Sequence, residues 1–152
     1  MKVIRLVEAK ILSVSEKFLE VLECGISFQD FEAQLKKELD QLGVDLLKDL
    51  LESLDQQLRN SSTRKQAWTI VRKNDSKEIL TPFGLLSYTR SYFQHKESKE
   101  YCYLADEKAG ITPHSRIGLN MKAELAAACG EISYEKATRQ LSGYNSVLTV
   151  SK

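Results

Sequence analysis

The segment that decides the fold reads Leu86-Ser87-Tyr88-Thr89-Arg90-Ser91-Tyr92-Phe93. Its larger side chains recur at every second position, which is the period of a β-strand. Four of these side chains are predicted to share one face of the strand: Leu86, Tyr88, Arg90 and Tyr92.

The sequence on either side of this strand predicts further antiparallel strands. Residues 68–73 are rich in β-branched and aromatic side chains and end at Asn74-Asp75-Ser76, and Thr81-Pro82-Phe83-Gly84 is typical of a turn. A polar turn at residues 95–100 then precedes the short run at residues 101–104. Residues 63–104 are therefore predicted to form an antiparallel β-meander of three or four strands.

Residues 1–62 are predicted to be a helical arm. Apolar residues recur at steps of three and four from Phe28 to Leu58, which places one stripe on one helix face. Ser27 is the predicted N-cap, and a turn-like cluster ends the helix at residues 59–62, about 50 Å away at ~1.5 Å per residue. A helix of this length needs a partner, either residues 8–22 folding back or a second chain in a coiled coil. Gly43 inside the stripe indicates a kink or a close approach.

Residues 105–152 return to a helical pattern. Asp106 and Glu107 suit the start of a short helix that Gly110 stops, and residues 119–129 form a strong helix that Gly130 is predicted to end. Ser133 would cap a second helix at residues 134–141, so this region resembles an incomplete helix-turn-helix. The apolar residues 146–152 indicate a chain that stops inside a structural element. The predicted fold class is α+β.

The charge distribution excludes one class of function. With 22 basic and 21 acidic side chains the net charge is +1, so the chain is not a uniformly basic nucleic-acid binder. The charge is nevertheless uneven, because residues 1–60 carry −4, residues 61–100 carry +4 and residues 101–152 carry +1. The predicted meander is therefore the basic part of the chain.

The sequence predicts no cofactor and no metal site. Cys24, Cys102 and Cys129 are far apart and only two histidines accompany them, so neither a zinc site nor a disulfide framework is expected. Glycine-rich nucleotide-binding motifs and the hydrolase nucleophile motif do not occur. No signal-peptide pattern and no run of roughly 20 apolar residues is present, which predicts a cytoplasmic protein without membrane contact.

An ordered set of residues resembles a known family. The set comprises Trp68, Arg72-Lys73, Phe83-Gly84, Tyr88-x-Arg90-x-Tyr92, Tyr101-x-Tyr103-Leu104-x-Asp106-Glu107, Gly110-Ile111-x-Pro113, Arg116 and Ser133-Tyr134. In this order the residues resemble the N-terminal part of ISLre-type insertion-sequence transposases, which have also been catalogued as an uncharacterised protein family. The resemblance covers residues 65–152, whereas residues 1–60 share only their helical character.

The resemblance implies a mobile-element protein that binds DNA at the ends of its own element. It implies a recognition helix after Ser133-Tyr134, whose entrance would be Val150-Ser151-Lys152. Larger relatives carry a catalytic core of metal-binding carboxylates, but the acidic residues that follow Leu104 here all fall on predicted helices. No catalytic residue is therefore assigned, and the chain is expected to lack the catalytic core.

Basic residues in the meander and the late helices are the predicted DNA contacts, because clustered Lys and Arg neutralise phosphates. They are Arg72, Lys73, Arg90, Lys96, Arg116, Lys136 and Arg139. Those in the meander equally fit a solvated sheet face, and Lys136 and Arg139 equally fit an ordinary helix surface. Four tyrosines fit either base stacking or cross-strand packing: Tyr88, Tyr92, Tyr101 and Tyr103.

Two alternatives to DNA binding stay open. The chain fits an oligomerisation or protein-interaction module, with a homodimer formed through residues 28–59. It also fits a non-functional remnant of a larger gene.

Overall fold

The computed structural model of the chain describes residues 2–25 and 27–131 and has the predicted α+β fold. The helices and strands follow one another as α1 (Lys2–Cys24), α2 (Phe28–Asn60), α3 (Ser62–Ala67), β1 (Trp68–Thr81), β2 (Gly84–His95), β3 (Tyr101–Cys102), α4 (Leu104–Lys108) and α5 (Leu119–Glu131). The helix predicted after Ser133, and with it Lys136 and Arg139, lies outside the described residues. None of the helices in the described ranges is long and apolar enough to cross a membrane.

The partner of the long helix α2 is α1, which folds back along it. The Phe18 and Phe31 rings meet edge to face at 6.2 Å. Lys10 and Lys17 donate to the two carboxylate oxygens of Glu38, at 2.9 and 2.7 Å. These two hydrogen bonds lower the pKa of Glu38 to about 2. Of the two arrangements that the sequence allowed, the structure therefore has the helical hairpin.

The cap predicted at the start of α2 is confirmed. The Ser27 hydroxyl accepts from the Asp30 amide, which satisfies one of the free N–H groups of the first turn. At the other end, Ser61 ends the helix and its side chain caps α3. The periodic stripe and its capping residues were thus sufficient to predict both ends of α2.

The sheet has three antiparallel strands in the order β1-β2-β3. Pro82 and Phe83 form the two-residue turn, with Gly84 at a φ of 130°. The alternation predicted for the central strand is confirmed from Leu85 to Tyr88, because Leu86 and Tyr88 are buried while Leu85 and Ser87 are exposed. Farther along the strand the buried positions shift to Ser91 and Phe93, and Arg90 and Tyr92 are only half-buried. With Leu51 of α2 and Ile79 of β1, Leu86 and Tyr88 form the core of the molecule.

The first strand does not end at Asn74-Asp75-Ser76 as predicted. It runs on to Thr81, and two register shifts let β1 accommodate two more residues than β2. Asn74 takes a φ of 61°, which asparagine tolerates better than most residues, and its side chain accepts from Arg59 at 3.1 Å. The turn-like residues therefore form a β-bulge within one long strand.

Carboxylates of α2 cover an edge of the central strand. Because β3 pairs only with Phe93 and Gln94, it leaves much of that edge without a neighbouring strand. Glu52 accepts from the Thr89 amide at 3.2 Å, and Asp55 accepts from the Ser91 amide at 2.8 Å. These contacts fix α2 against the strand through backbone groups as well as through apolar packing.

The chain after the sheet returns to the far end of β1. Leu80 donates to the Arg116 carbonyl and accepts from the Gly118 amide, both at 2.8 Å. The helix α5 follows and runs through Gly130 to Glu131, so the predicted end at Gly130 is wrong. One glycine inside a helix costs only about 1 kcal/mol, which neighbouring good helix formers offset.

Gly43 of α2 lies close to Phe83 in the turn between β1 and β2, and replacing it tests the packing of α2 on that turn. A Cβ there would lie 2.6 Å from Cγ and Cδ1 of Phe83. Gly43→Ala should therefore destabilise the protein by about 1–2 kcal/mol, although alanine is favoured over glycine by about 1 kcal/mol in an open helix. In a Phe83→Ala background the same change should become stabilising. Urea unfolding measures both, and stabilisation in both backgrounds would contradict the close approach.

Candidate nucleic-acid interface

Three tyrosines from β2, β3 and the residue that follows it form one aromatic cluster. Tyr92 stacks on Tyr101 with 5.4 Å between ring centroids, and it contacts Tyr103 at 4.7 Å. Tyr92 is half-buried, whereas Tyr101 is 53% exposed. The cluster thus combines cross-strand packing with one accessible ring, that of Tyr101.

Two arginines stack on this cluster. The Arg72 guanidinium lies 4.7 Å from the centre of the Tyr92 ring, and that of Arg90 lies 3.5 Å from the centre of the Tyr103 ring. Such contacts hold a cation over an aromatic face. Asp75 binds Arg72 and accepts from the Tyr103 hydroxyl at 3.0 Å. The Arg72 side chain is nevertheless 59% exposed, so it can still meet a ligand.

A buried carboxylate, Asp106, joins the sheet to α4. It accepts from the Tyr88 hydroxyl at 2.6 Å and from Lys77 at 3.2 Å, and it pairs with Arg90. Burial and the nearby Arg90 charge lower the pKa of Lys77. Burial raises the pKa of Tyr88 to about 12, so its hydroxyl remains a donor near neutral pH. This arrangement makes Arg90 chiefly a structural residue.

The described residues beside the cluster line an open groove of about 1270 Å³. Its walls include residues 76–78, 101–103 and 110–116. Burial and Glu107 raise the pKa of Cys102 to about 11, so this thiol stays protonated near neutral pH. Within the described residues no group of three or more carboxylate, thiol or imidazole side chains is placed to hold a metal ion. The tyrosine cluster and Arg116 lie on the walls of this groove, and Lys77 and Arg90 are paired there with Asp106.

The structure brings together some predicted contacts and separates others. Arg72 and Arg90 meet on the tyrosine cluster, and Lys73 is exposed at the β-bulge. Lys96 lies just past one end of β2, and Arg116 lies beside the other end. At ~3.3 Å per residue these two are about 36 Å apart along the strand, so one small patch does not contain all five.

The sequence did not predict that Asp75, Lys77 and Asp106 belong to the site. Asp75 pairs with Arg72, and Asp106 pairs with Lys77 and Arg90. Asp106 was interpreted as a favourable residue for a first helical turn, which it is, but it is 4% exposed and binds three side chains. Its partners are 16 to 29 residues away in the chain, beyond the reach of local patterns.

Comparison with known proteins gives a family match. A model of the uncharacterised protein family UPF0236 matches residues 21–152. The UPF0236 protein TTE2489 of Caldanaerobacter subterraneus subsp. tengcongensis is 32% identical over 127 residues, which are 84% of this chain and 27% of that protein. The UPF0236 protein TTE0402 of the same organism is also 32% identical over 127 residues, which are 84% of this chain and 26% of that protein.

The chain spans about a quarter of the length of the curated relatives it matches. No solved structure matches it.

Proposed function

Because this chain belongs to the uncharacterised protein family UPF0236, we propose a function for the family's N-terminal portion. This portion binds DNA at the ends of a mobile element, as part of a transposase whose catalytic residues lie elsewhere. The ordered residue set that resembles ISLre-type transposases supports this proposal. So does the net charge of +4 on residues 61–100.

The observation that carries the proposal is the exposed end of the tyrosine cluster. Tyr101 is 53% exposed to solvent. Arg72 lies on the adjacent Tyr92 ring, and most of the Arg72 side chain is exposed. An exposed aromatic ring stacks on a nucleic-acid base, and an exposed guanidinium binds the neighbouring phosphate. Lys73 adds a second cation next to Arg72 in the chain.

Fluorescence anisotropy with duplex and single-stranded oligonucleotides at two salt concentrations tests the proposal. Arg72→Gln should weaken binding and reduce the slope of log affinity against log salt by about one unit, because one phosphate contact is lost. Tyr101→Ala should weaken binding by about 1–3 kcal/mol, whereas Tyr101→Phe should retain the stacking ring and most of the affinity.

The matched control removes an exposed charge from α2. Lys48→Gln should leave the affinity and the salt dependence unchanged, since Lys48 lies outside the tyrosine cluster. Absence of binding at low salt would overturn the proposal. Equal losses in the Lys48 and Arg72 variants would also overturn it, because they would show a general charge effect.

A further inference from the structure

The helix α1 has an exposed apolar face that the hairpin does not cover. Monomeric proteins seldom expose a contiguous apolar patch of this kind, and such patches mark interaction surfaces. The six residues, here called the α1 stripe, are 44–68% exposed: Ile4, Ile11, Leu12, Phe18, Leu19 and Leu22.

The α1 stripe adjoins the face that packs on α2. Val7, Val14 and Val21 are half-buried in the hairpin, and Phe18 and Leu19 lie where the two faces meet, because they line a small apolar hollow together with Phe31 of α2. At ~100° per residue, the stripe lies on the adjacent side of the helix. α1 thus has one apolar face for α2 and, beside it, a second one on which Ile4, Ile11, Leu12 and Leu22 remain largely exposed.

The spacing within the stripe indicates that another helix covers it. Ile4, Ile11 and Phe18 follow at steps of seven, and Leu12 and Leu19 repeat the same step. A seven-residue apolar repeat is typical of a helix that packs along a second helix at a small angle.

The charges of α1 are complementary to those of another copy of α1. Residues 2–12 contain three basic residues and one acidic residue, whereas residues 13–24 contain one basic residue and three acidic residues. The three acidic residues, Glu16, Glu20 and Glu23, are exposed. A parallel pair would bring the two acidic ends of the helices to the same level, but an antiparallel pair sets Glu20 and Glu23 against Arg5 of the other copy.

We propose that two copies of this chain associate through their α1 stripes, with the two α1 helices antiparallel across a two-fold axis. The stripe is centred near residue 13, so Ile4 of one copy lies opposite Leu22 of the other. Arg5 then lies between Glu20 and Glu23 of the second copy. The interface is self-complementary, as a two-fold contact requires. It does not depend on DNA binding and leaves the tyrosine cluster free.

Light scattering and sedimentation of the full chain over a wide concentration range test the dimer. The wild type should dimerise, and Leu12→Glu with Leu22→Glu should raise the dissociation constant at least about tenfold, equivalent to about 1.4 kcal/mol. The control pair, Leu39→Glu with Leu50→Glu, changes exposed leucines of α2 and should leave association intact. Circular dichroism checks that all variants keep their helices.

A charge exchange tests the antiparallel arrangement without altering the apolar stripe. Arg5→Glu alone and Glu20→Arg with Glu23→Arg should each weaken the dimer, and all three changes together should restore it. A monomer at every concentration would overturn the proposal. Failure of the triple variant to recover would overturn the antiparallel pairing.

Discussion

Asp106→Asn is expected to lower the free energy of unfolding by about 3–5 kcal/mol. The carboxylate is 4% exposed and balances two cations, Lys77 and Arg90, whose side chains are only 7% and 13% exposed. Asparagine keeps an acceptor for the Tyr88 hydroxyl but provides no negative charge. Removing one partner of a buried ionic group leaves the others buried without compensation, and that cost exceeds the loss of a hydrogen bond.

Urea unfolding monitored by tyrosine and tryptophan fluorescence measures this effect. Asp75→Asn is the matched control, since Asp75 pairs with an exposed arginine and should cost about 1 kcal/mol or less. Lys77→Met in the Asp106→Asn background should recover part of the loss, because it removes one uncompensated cation. If the Asp106 and Asp75 variants lose equal stability, the buried network does not stabilise the sheet as inferred.

The sequence predicted the elements that depend on neighbouring residues. The alternation of Leu85 to Tyr88, the Ser27 cap and the stripe of α2 each follow from local periodicity or local hydrogen bonding. The tight approach at Gly43 was one of two interpretations of a glycine in a helix. Asn74 shows where local reasoning stops, because a turn-like triplet and a β-bulge contain the same residues, and only the partner strand distinguishes them.

The candidate site was less predictable because it depends on contacts between distant residues. The +4 charge of residues 61–100 overstates the cations available to a ligand. Arg64 binds backbone carbonyls at the end of α2, and Lys77 and Arg90 pair with Asp106. Arg72 and Lys73 remain accessible. Net charge counts side chains, whereas binding depends on those that the fold leaves free.

The acidic residues of α2 show the same limit. The apolar stripe predicts which face of α2 is buried, but it does not predict that Asp55, on a helix of net negative charge, is 1% exposed. Asp55 is buried because its two oxygens satisfy the amide and hydroxyl of Ser91, 36 residues away. Asp55 is buried because no strand among the described residues pairs with this edge of β2, and no pattern within residues 28–60 carries that information.

Asp55→Ala is expected to destabilise the protein by about 3–5 kcal/mol, comparable to the loss of Asp106. Alanine leaves the Ser91 amide buried without its acceptor and removes the carboxylate that binds Arg59 at 2.7 Å. The site-specific readout is hydrogen exchange. The Ser91 amide should lose protection, while the Tyr88 amide should retain more, because Tyr88 pairs with Lys77 of β1.

Glu52→Ala is the graded control for the same edge. Glu52 is half-buried and accepts from Thr89 at 3.2 Å, so its loss should cost about 1 kcal/mol and expose only that amide. If both carboxylates cover the edge, the double variant should also aggregate more readily, since an uncovered strand edge pairs with other chains. Unchanged exchange at Ser91 in a destabilised Asp55 variant would contradict this role, because the stability would then come from Arg59 alone.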